Sequence, residues 1–366
     1  MRFRRIASGA AVLSVLGVAG GAYTLKAAFP PLEDGCDFEA LSGEPLSVGM
    51  YDFVTRQLPL RAVSRLWGTV NELPLPVPLR APLYNSWCRT FDCDVDQAEK
   101  PLKEYANLQE FFGRALKPGL RPTDTAPDAV VSPCDGRVLT CGPVGAFGKL
   151  HQVKGFTYDL RDFLGVEGPH EKLALSAVNV YDESDKNRKD AALSKQRSSN
   201  QLFQMVLYLA PGDYHNFHSP VDDWQLTKVR HVVGELLSVN PAVARRIPNL
   251  FVLNERIVLL GEWGEERRRF FSMTAVGATN VGSIRMFFPT KFPIKTNRVG
   301  AKRHKIHEEK FLGKDATIRF DRGDLVGGFR LGSSIVLVFE APEDFHFLVR
   351  PGDRVLCGQK VGQFHH

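Results

Sequence analysis

Four side chains that can perform acid–base or nucleophilic chemistry stand in short segments rich in Gly, Pro and Ser. Asp135 follows Ser-Pro-Cys and precedes a glycine, between two β-rich runs. His215 and His218 lie in one loop-like stretch after a strongly apolar run. Ser333 follows Gly332 and opens another apolar run, which is β-branched and too short for a helix. An Asp, a His and a Ser that meet in space can activate the serine hydroxyl.

Each of these positions also has a simpler structural explanation. An Asp-Gly pair between two β-rich runs is typical of a turn. Gly332-Ser333 is typical of a kink or bulge at the start of a buried strand. Two histidines in a loop after a strand also fit a hydrogen-bonded core. Spacing along the chain does not decide between a triad and these roles, because any chain of this length contains such residues.

Several other kinds of site are disfavoured by the motifs. A His-x-x-His pair can bind a metal from one helical face, but the Pro and Gly around His215 and His218 argue against a helix. No third ligand is near in sequence, so we predict no metal. The stretch 277–283 has the two P-loop glycines without the lysine. No G-x-S-x-G elbow occurs, which disfavours an α/β-hydrolase.

Composition indicates a globular protein rich in loops and strands. The 366 residues include 43% hydrophobic and 24% charged residues, with 32 Gly and 23 Pro. The net charge of +6 is too small to indicate nucleic-acid binding, although it suits an anionic membrane surface. No C-x-x-C pair is present among the six cysteines, so we expect scattered buried or free thiols.

The N-terminal segment predicts a membrane anchor over residues 1–26. Three arginines precede an uncharged run from Ile6 to Leu25, and twenty helical residues span about 30 Å, the thickness of the hydrocarbon core. A cleaved secretory signal and a mitochondrial presequence leading into an anchor are the alternatives. The arginines would stay on the insertion side, with the bulk of the chain opposite. Residues 27–50 are predicted to form a linker.

The remainder predicts an α+β fold with a mainly antiparallel β core and an N-terminal helical region. Residues 51–120 form the helical region, in which Asn107 is a candidate N-cap with Glu110 three residues later. Residues 121–332 form the β-rich core, and 333–366 complete it. Strands are predicted at Ala129–Ser132, Gly136–Cys141, Gln204–Leu209, Arg256–Leu260, Phe270–Val276, Ser283–Phe288, Ile335–Glu340 and Arg354–Cys357.

Two segments stand apart from this pattern. Residues 167–200 are polar and charged, then Ser-rich, and predict a mobile insertion. Residues 291–316 are basic, which suits either a solvated loop or contact with lipid phosphates.

Taken together, ordered segments of the chain resemble the phosphatidylserine decarboxylases, in particular the mitochondrial, animal-type members. The resemblance runs from about residue 60 to the end. The segments that carry it are Ser132-Pro133-Cys134-Asp135-Gly136-Arg137, Val153-Lys154-Gly155, Tyr208-Leu209-Ala210-Pro211-Gly212-Asp213-Tyr214-His215, Phe217-His218-Ser219-Pro220, Ser238-Val239-Asn240-Pro241, Asn254-Glu255-Arg256, 275–284 and Leu331-Gly332-Ser333-Ser334. The usual Leu-Gly-Ser-Thr motif ends here in serine, and the 167–200 segment has no counterpart.

The resemblance implies a self-processing enzyme. Cleavage between Gly332 and Ser333 would give a β chain, 1–332, and an α chain, 333–366, which stay together as a heterodimer. Asp135, His218 and Ser333 would form the processing triad, in which His218 takes the Ser333 proton and Asp135 orients the imidazole. Ser333 would become a covalent pyruvoyl group.

The implied reaction is decarboxylation of phosphatidylserine to phosphatidylethanolamine. The pyruvoyl carbonyl would form a Schiff base with the substrate amine and accept electrons as CO2 leaves. His215 is the candidate to assist decarboxylation or protonate the carbanion, although His215 and His218 are interchangeable at this point. The implied location is the mitochondrial inner membrane, with a single span and the bulk of the chain in the intermembrane space.

Two alternatives from other classes stay open on sequence alone. A membrane-attached serine hydrolase would use similar residues on one uncut chain with a reactive Ser333. A non-catalytic lipid-binding β module would contain Gly332-Ser333 only as a kink.

Overall fold

The structure, a computed structural model, describes residues 60–145, 148–152, 156–166, 200–264, 268–278, 284–290, 294, 296–298, 305–311, 318–330 and 333–364. The predicted anchor, 1–26, the linker, 27–50, and nearly all of the 167–200 insertion lie outside the described residues, as does Gly332. Within the described ranges, no helix combines the length and the apolar character needed to span a bilayer.

Within the described ranges, helices come first in the chain, as predicted. The first three are α1 (Leu60–Glu72), α2 (Val77–Phe91) and α3 (Leu108–Phe112). Three short helices follow later, α4 (Leu160–Leu164), α5 (Pro241–Ala244) and α6 (Leu250–Leu253). The predicted cap is confirmed, because the Asn107 side chain accepts a hydrogen bond from the Glu110 N–H at 2.8 Å.

The described chain also contains seventeen β-strands, which are joined by turns and loops. The strands up to and including His218 are β1 (Ala129–Val131), β2 (Gly136–Pro143), β3 (Lys149–His151), β4 (Thr157–Asp159), β5 (Asn200–Leu209) and β6 (Asn216–His218). The middle strands are β7 (Trp224–Val232), β8 (Arg256–Trp263), β9 (Arg269–Val276), β10 (Ile284–Met286), β11 (Ile306–Lys310) and β12 (Ile318–Phe320). The last are β13 (Leu325–Phe329), β14 (Ser333–Pro342), β15 (His346–Phe347), β16 (Arg354–Val355) and β17 (Lys360–Gln363).

The strands of the described ranges form one large antiparallel sheet and three small ones. The large sheet has the order β11-β7-β8-β9-β14-β5-β2-β16, with β12 also paired to β7. The small sheets are β10-β13-β6, β1-β17-β15 and β3-β4. This confirms a mixed helical and mainly antiparallel β fold.

The C-terminal strand β14 lies in the middle of the large sheet. It pairs with β5 along its whole length and with β9 on its other side. From Ser333 to Ala341 every residue of β14 is buried. The later C-terminal strands β16 and β17 pair with β2 and β1. Sheet pairing and burial on both sides therefore hold residues 333–364 in the core whether or not the chain is continuous before Ser333.

One cysteine prediction was wrong. Cys88 and Cys93 form a disulfide, whereas Cys134, Cys141 and Cys357 are free thiols. Helix α2 ends at Phe91, and the left-handed Asp92 (φ 54°) reverses the chain so that the Cys93 N–H bonds the Cys88 carbonyl. The reversal brings the sulfurs together, and nothing in the cysteine spacing indicated it.

Candidate active site

Asp135 occupies the connection between β1 and β2, where its carboxylate is buried and fully paired. Arg121 donates to it from Nε at 2.8 Å and from Nη2 at 2.6 Å, and the Cys357 N–H donates at 2.8 Å. Gln97 Oε1 accepts from the same guanidinium at 2.9 Å and so fixes its orientation. A charged, bidentate pair of this kind satisfies a carboxylate that would otherwise be costly to bury.

His218 ends β6 and lies beside Leu325 of β13. Its Nδ1 is 2.7 Å from the Gly323 carbonyl oxygen, which can only accept, so Nδ1 carries the proton. The basic Nε2 then accepts from the Tyr214 hydroxyl at 3.0 Å. Burial lowers the pKa of His218, while the hydrogen bond to Gly323 and the charge of Asp135 oppose that shift.

The resemblance implied that Asp135 orients the His218 imidazole, and the hydrogen bonds of the described residues have a different arrangement. The Gly323 carbonyl orients the ring. In the described part of the chain, Asp135 bonds Arg121 and Cys357 instead, and it acts on His218 through charge. A nearby carboxylate still favours the charged imidazolium without touching it.

His215 lies in the loop between β5 and β6 and is completely buried. Its Nδ1 donates to the Asp213 carbonyl at 2.7 Å, and the Phe112 ring lies 3.9 Å from its own ring, centroid to centroid. Its Nε2 has no hydrogen-bond partner among the described residues. Burial lowers the pKa of His215 to about 3, and the charge of Arg114 acts in the same direction. His215 is therefore a neutral imidazole with an unengaged lone pair.

Ser333 is the first residue of β14 and lies opposite Leu209, the last residue of β5. Its side chain is fully buried, and the hydroxyl has no partner within the described ranges. The histidine loop, residues 210–215, follows β5 and leads into β6, and its His215 carbonyl accepts the Phe329 N–H at 2.9 Å. Phe329 ends β13 shortly before Ser333, and Ser333 itself lies opposite Leu209, where the histidine loop begins. The start of β14 therefore lies close to the histidine loop.

The structure thus brings all four predicted side chains to one end of the sheet and adds residues that the sequence did not single out. Arg121 pairs with Asp135, Tyr214 bonds His218, and Arg114 lies beside His215. Tyr214 lies in the segment 208–215, which carries part of the family resemblance, so the sequence contained a signal for it. Arg114 lies in the predicted helical region and Arg121 just after it, and a lone arginine carries no signal in either place. Among the described residues, no group of three or more His, Cys, Asp or Glu is placed to hold a metal.

Comparison with known proteins identifies the family. The phosphatidylserine decarboxylase family model matches residues 108–363, which include all four candidate residues. The chain belongs to the phosphatidylserine decarboxylase family. The match begins at α3, whose Phe112 contacts His215, and ends in β17, so it covers the whole β core.

Curated relatives of this decarboxylase agree with the match. The chain is 39% identical to the mitochondrial phosphatidylserine decarboxylase proenzyme 1 of Saccharomyces cerevisiae, with 85% of this chain and 73% of the relative covered. It is 42% identical to the mitochondrial proenzyme of Cricetulus griseus, covering 84% and 72%. It is 39% identical to proenzyme 1 of Arabidopsis thaliana, covering 84% and 73%. A serine hydrolase and a non-catalytic lipid-binding module are not supported by these relatives.

Proposed function

We propose that this member of the family decarboxylates phosphatidylserine after cutting itself between Gly332 and Ser333. The observation that carries the proposal is the position of Ser333: its buried, unpartnered hydroxyl opens a central strand beside the histidine loop. The products are a β chain, 1–332, and an α chain, 333–366. They stay together because the strands after Ser333 are integral to the sheet.

Self-cleavage begins with proton transfer from the Ser333 hydroxyl to His218 Nε2. The serine oxygen attacks the Gly332 carbonyl carbon, the C–N bond breaks as His218 returns the proton to the departing Ser333 nitrogen, and the amide becomes an ester. The charge of Asp135 stabilises the imidazolium that forms. Elimination then releases the Gly332 carboxylate and leaves a dehydroalanine at position 333, which takes up water and loses ammonia to become a pyruvoyl group.

The residues around Ser333 fit such a group, because its buried hydroxyl, at the start of β14, has no hydrogen-bond partner among the described residues. When formed, the pyruvoyl group supplies the electron sink that loss of CO2 requires. His215 serves this step. Its neutral, unengaged Nε2 accepts a hydrogen bond from the substrate amine and so assists the decarboxylation.

The relatives named mitochondrial support a location for the enzyme. We place it at the mitochondrial inner membrane, anchored by a single span within residues 1–26, with the bulk of the chain in the intermembrane space. A membrane attachment suits a substrate that is itself a bilayer lipid.

Intact mass of the purified full chain tests the proposal. Wild type is expected to give two fragments that divide between Gly332 and Ser333, the C-terminal one with a blocked N-terminus. Ser333→Ala is expected to stay uncut. Ser334→Ala is the matched control and is expected to be cut, because successive strand residues point to opposite faces of the sheet. A wild-type chain that stays uncut and releases no CO2 from phosphatidylserine would refute the proposal.

A further inference from the structure

Arg114 is a buried cation whose hydrogen-bonding capacity is only partly used. It follows α3 and is 4% exposed. Its Nη2 donates to the Gly212 carbonyl at 3.0 Å, and the guanidinium lies 5.0 Å from the centre of the Phe111 ring. Its Nε and Nη1 are buried and have no partner among the described residues. Buried donors without partners are costly, so two on one side chain require an explanation.

Two other arginines near the site each form an ion pair with a carboxylate. Arg121 is paired with Asp135 at 2.6 Å, and Arg354 with Asp213 at 3.3 Å. Arg114 has no carboxylate within hydrogen-bonding distance in the described part of the chain. Of these three arginines, Arg114 is the one whose N–H donors are left to bind an anion from outside the protein.

Arg114 lies in the active site itself. Phe112, two residues earlier, contacts the His215 ring in a tilted arrangement, and a Cβ on Gly113 would be 3.8 Å from the carbonyl oxygen of Phe329. The charge of Arg114 contributes to the lowered pKa of His215. Arg114 donates to the carbonyl of Gly212, which lies in the loop that leads to His215. The Phe91 carbonyl oxygen lies so close to Gly212 that a side chain would not fit at that position. Arg114 therefore lies near the histidine that is proposed to assist decarboxylation.

We propose that Arg114 binds the phosphodiester of the phospholipid substrate. This inference rests on the proposed function and assigns one part of the headgroup to one residue. A guanidinium offers several N–H donors in a planar fork that matches phosphate oxygens.

The serine carboxylate is the less suitable partner for Arg114. A cation on that group stabilises a charge that disappears as CO2 leaves, which would slow the reaction. The phosphodiester keeps its charge throughout, so Arg114 binds substrate and transition state equally.

Direct binding of unreactive lipids tests the assignment. Dihexanoylphosphatidylethanol carries the phosphodiester without amine or carboxylate, and dihexanoylglycerol lacks the phosphodiester. Calorimetry on the full, processed chain is expected to give tighter binding of the first ligand. Arg114→Gln should weaken that ligand by about 10- to 100-fold and leave the second unchanged. Arg350→Gln, which removes an exposed arginine elsewhere, is the matched control and should change neither.

Kinetics and processing provide independent readouts. With dihexanoylphosphatidylserine, Arg114→Gln should raise KM and leave kcat near the wild-type value, since uniform binding is lost. Self-cleavage needs no substrate, so intact mass should give the same two fragments as wild type. If Arg114→Gln does not fold, Arg114→Lys carries the test, with weaker binding of the phosphodiester ligand alone.

Three results would overturn the role of Arg114. They are wild-type affinity of the variant for dihexanoylphosphatidylethanol, equal wild-type affinity for both ligands, and a folded variant that stays uncut. Failure of the proposed function looks different, because the wild-type chain itself would then neither cut nor release CO2.

Discussion

The two histidines of the site stand three residues apart and have opposite surroundings. Both donate from Nδ1 to a backbone carbonyl, so both present Nε2 as the basic atom. His215 is completely buried against Phe112, with the cation Arg114 as its charged neighbour. His218 is partly exposed, with the anion Asp135 as its neighbour and the Tyr214 hydroxyl on Nε2.

This difference separates the roles that the sequence left interchangeable. A neighbouring anion stabilises an imidazolium, so His218 suits the step in which a serine proton is taken. Full burial and a neighbouring cation disfavour an imidazolium, so His215 suits a role in which the ring stays neutral. Charge placement, more than hydrogen bonding, distinguishes the two rings.

Replacing each histidine in turn is expected to have the largest effect. His218→Ala should slow self-cleavage by about 10²- to 10⁴-fold, because the proposed general base is lost. His215→Gln should cut normally and lose decarboxylation by a similar factor. Time courses of cleavage by intact mass and of CO2 release measure the two steps. His346→Ala, at an exposed histidine, is the control. Efficient self-cleavage by His218→Ala would show that His218 is not the base for that step.

Removing Arg121 tests whether the anion beside His218 depends on its buried pair. Arg121→Gln should lower the free energy of unfolding by about 3–5 kcal/mol, because the Asp135 carboxylate is left buried without a cation. Urea unfolding of the full chain measures the change. Lys149→Gln breaks an exposed pair with Asp159 and should cost less than about 1 kcal/mol. Equal effects in the two variants would mean that Asp135 does not need Arg121.

The pH dependence of self-cleavage should follow His218. Burial places its pKa below the ordinary 6.5, so the neutral base is present at neutral pH and is lost as the pH falls below that value. The rate should be flat above pH 6.5 and decline on the acid side, and Asp135→Asn should move the midpoint further down. Cleavage rates measured from pH 5 to 8 test this, and a midpoint above 6.5 would contradict it. The free energy of unfolding should also fall as the pH falls through the pKa of His218, because protonating a buried imidazole favours the unfolded state.

Tyr214→Phe should have the smallest effect. The Tyr214 hydroxyl donates to the neutral form of His218, so its removal should raise the pKa of His218. The acid side of the cleavage profile should move up by about one pH unit or less, the size expected for one neutral hydrogen bond. Tyr105→Phe is the matched control, since that hydroxyl accepts from the Lys100 N–H instead. A downward shift would mean that Tyr214 does not donate to His218.

The sheet could be predicted where strands are continuous and apolar. Phe270–Val276 and Ile335–Glu340 were found within β9 and β14, because β-branched and aromatic residues dominate them. The strand β13 was not predicted, since Gly327 and Gly328 weaken any local preference. The fold needs glycine there because the Phe217 side chain packs against Gly327, a contact between segments about one hundred residues apart.

The sequence by itself determined which groups are present and in what order, from Asp135 through the histidine pair to Gly332-Ser333 at the start of a strand. Only the tertiary structure decided what each group touches. Arg121 rather than His218 binds Asp135, and the carbonyl of Gly323, 105 residues from His218, sets its tautomer. Burial and charge at a side chain depend on segments that fold against it from elsewhere in the chain, so local patterns carry the chemistry of a residue but not its pKa or its partner.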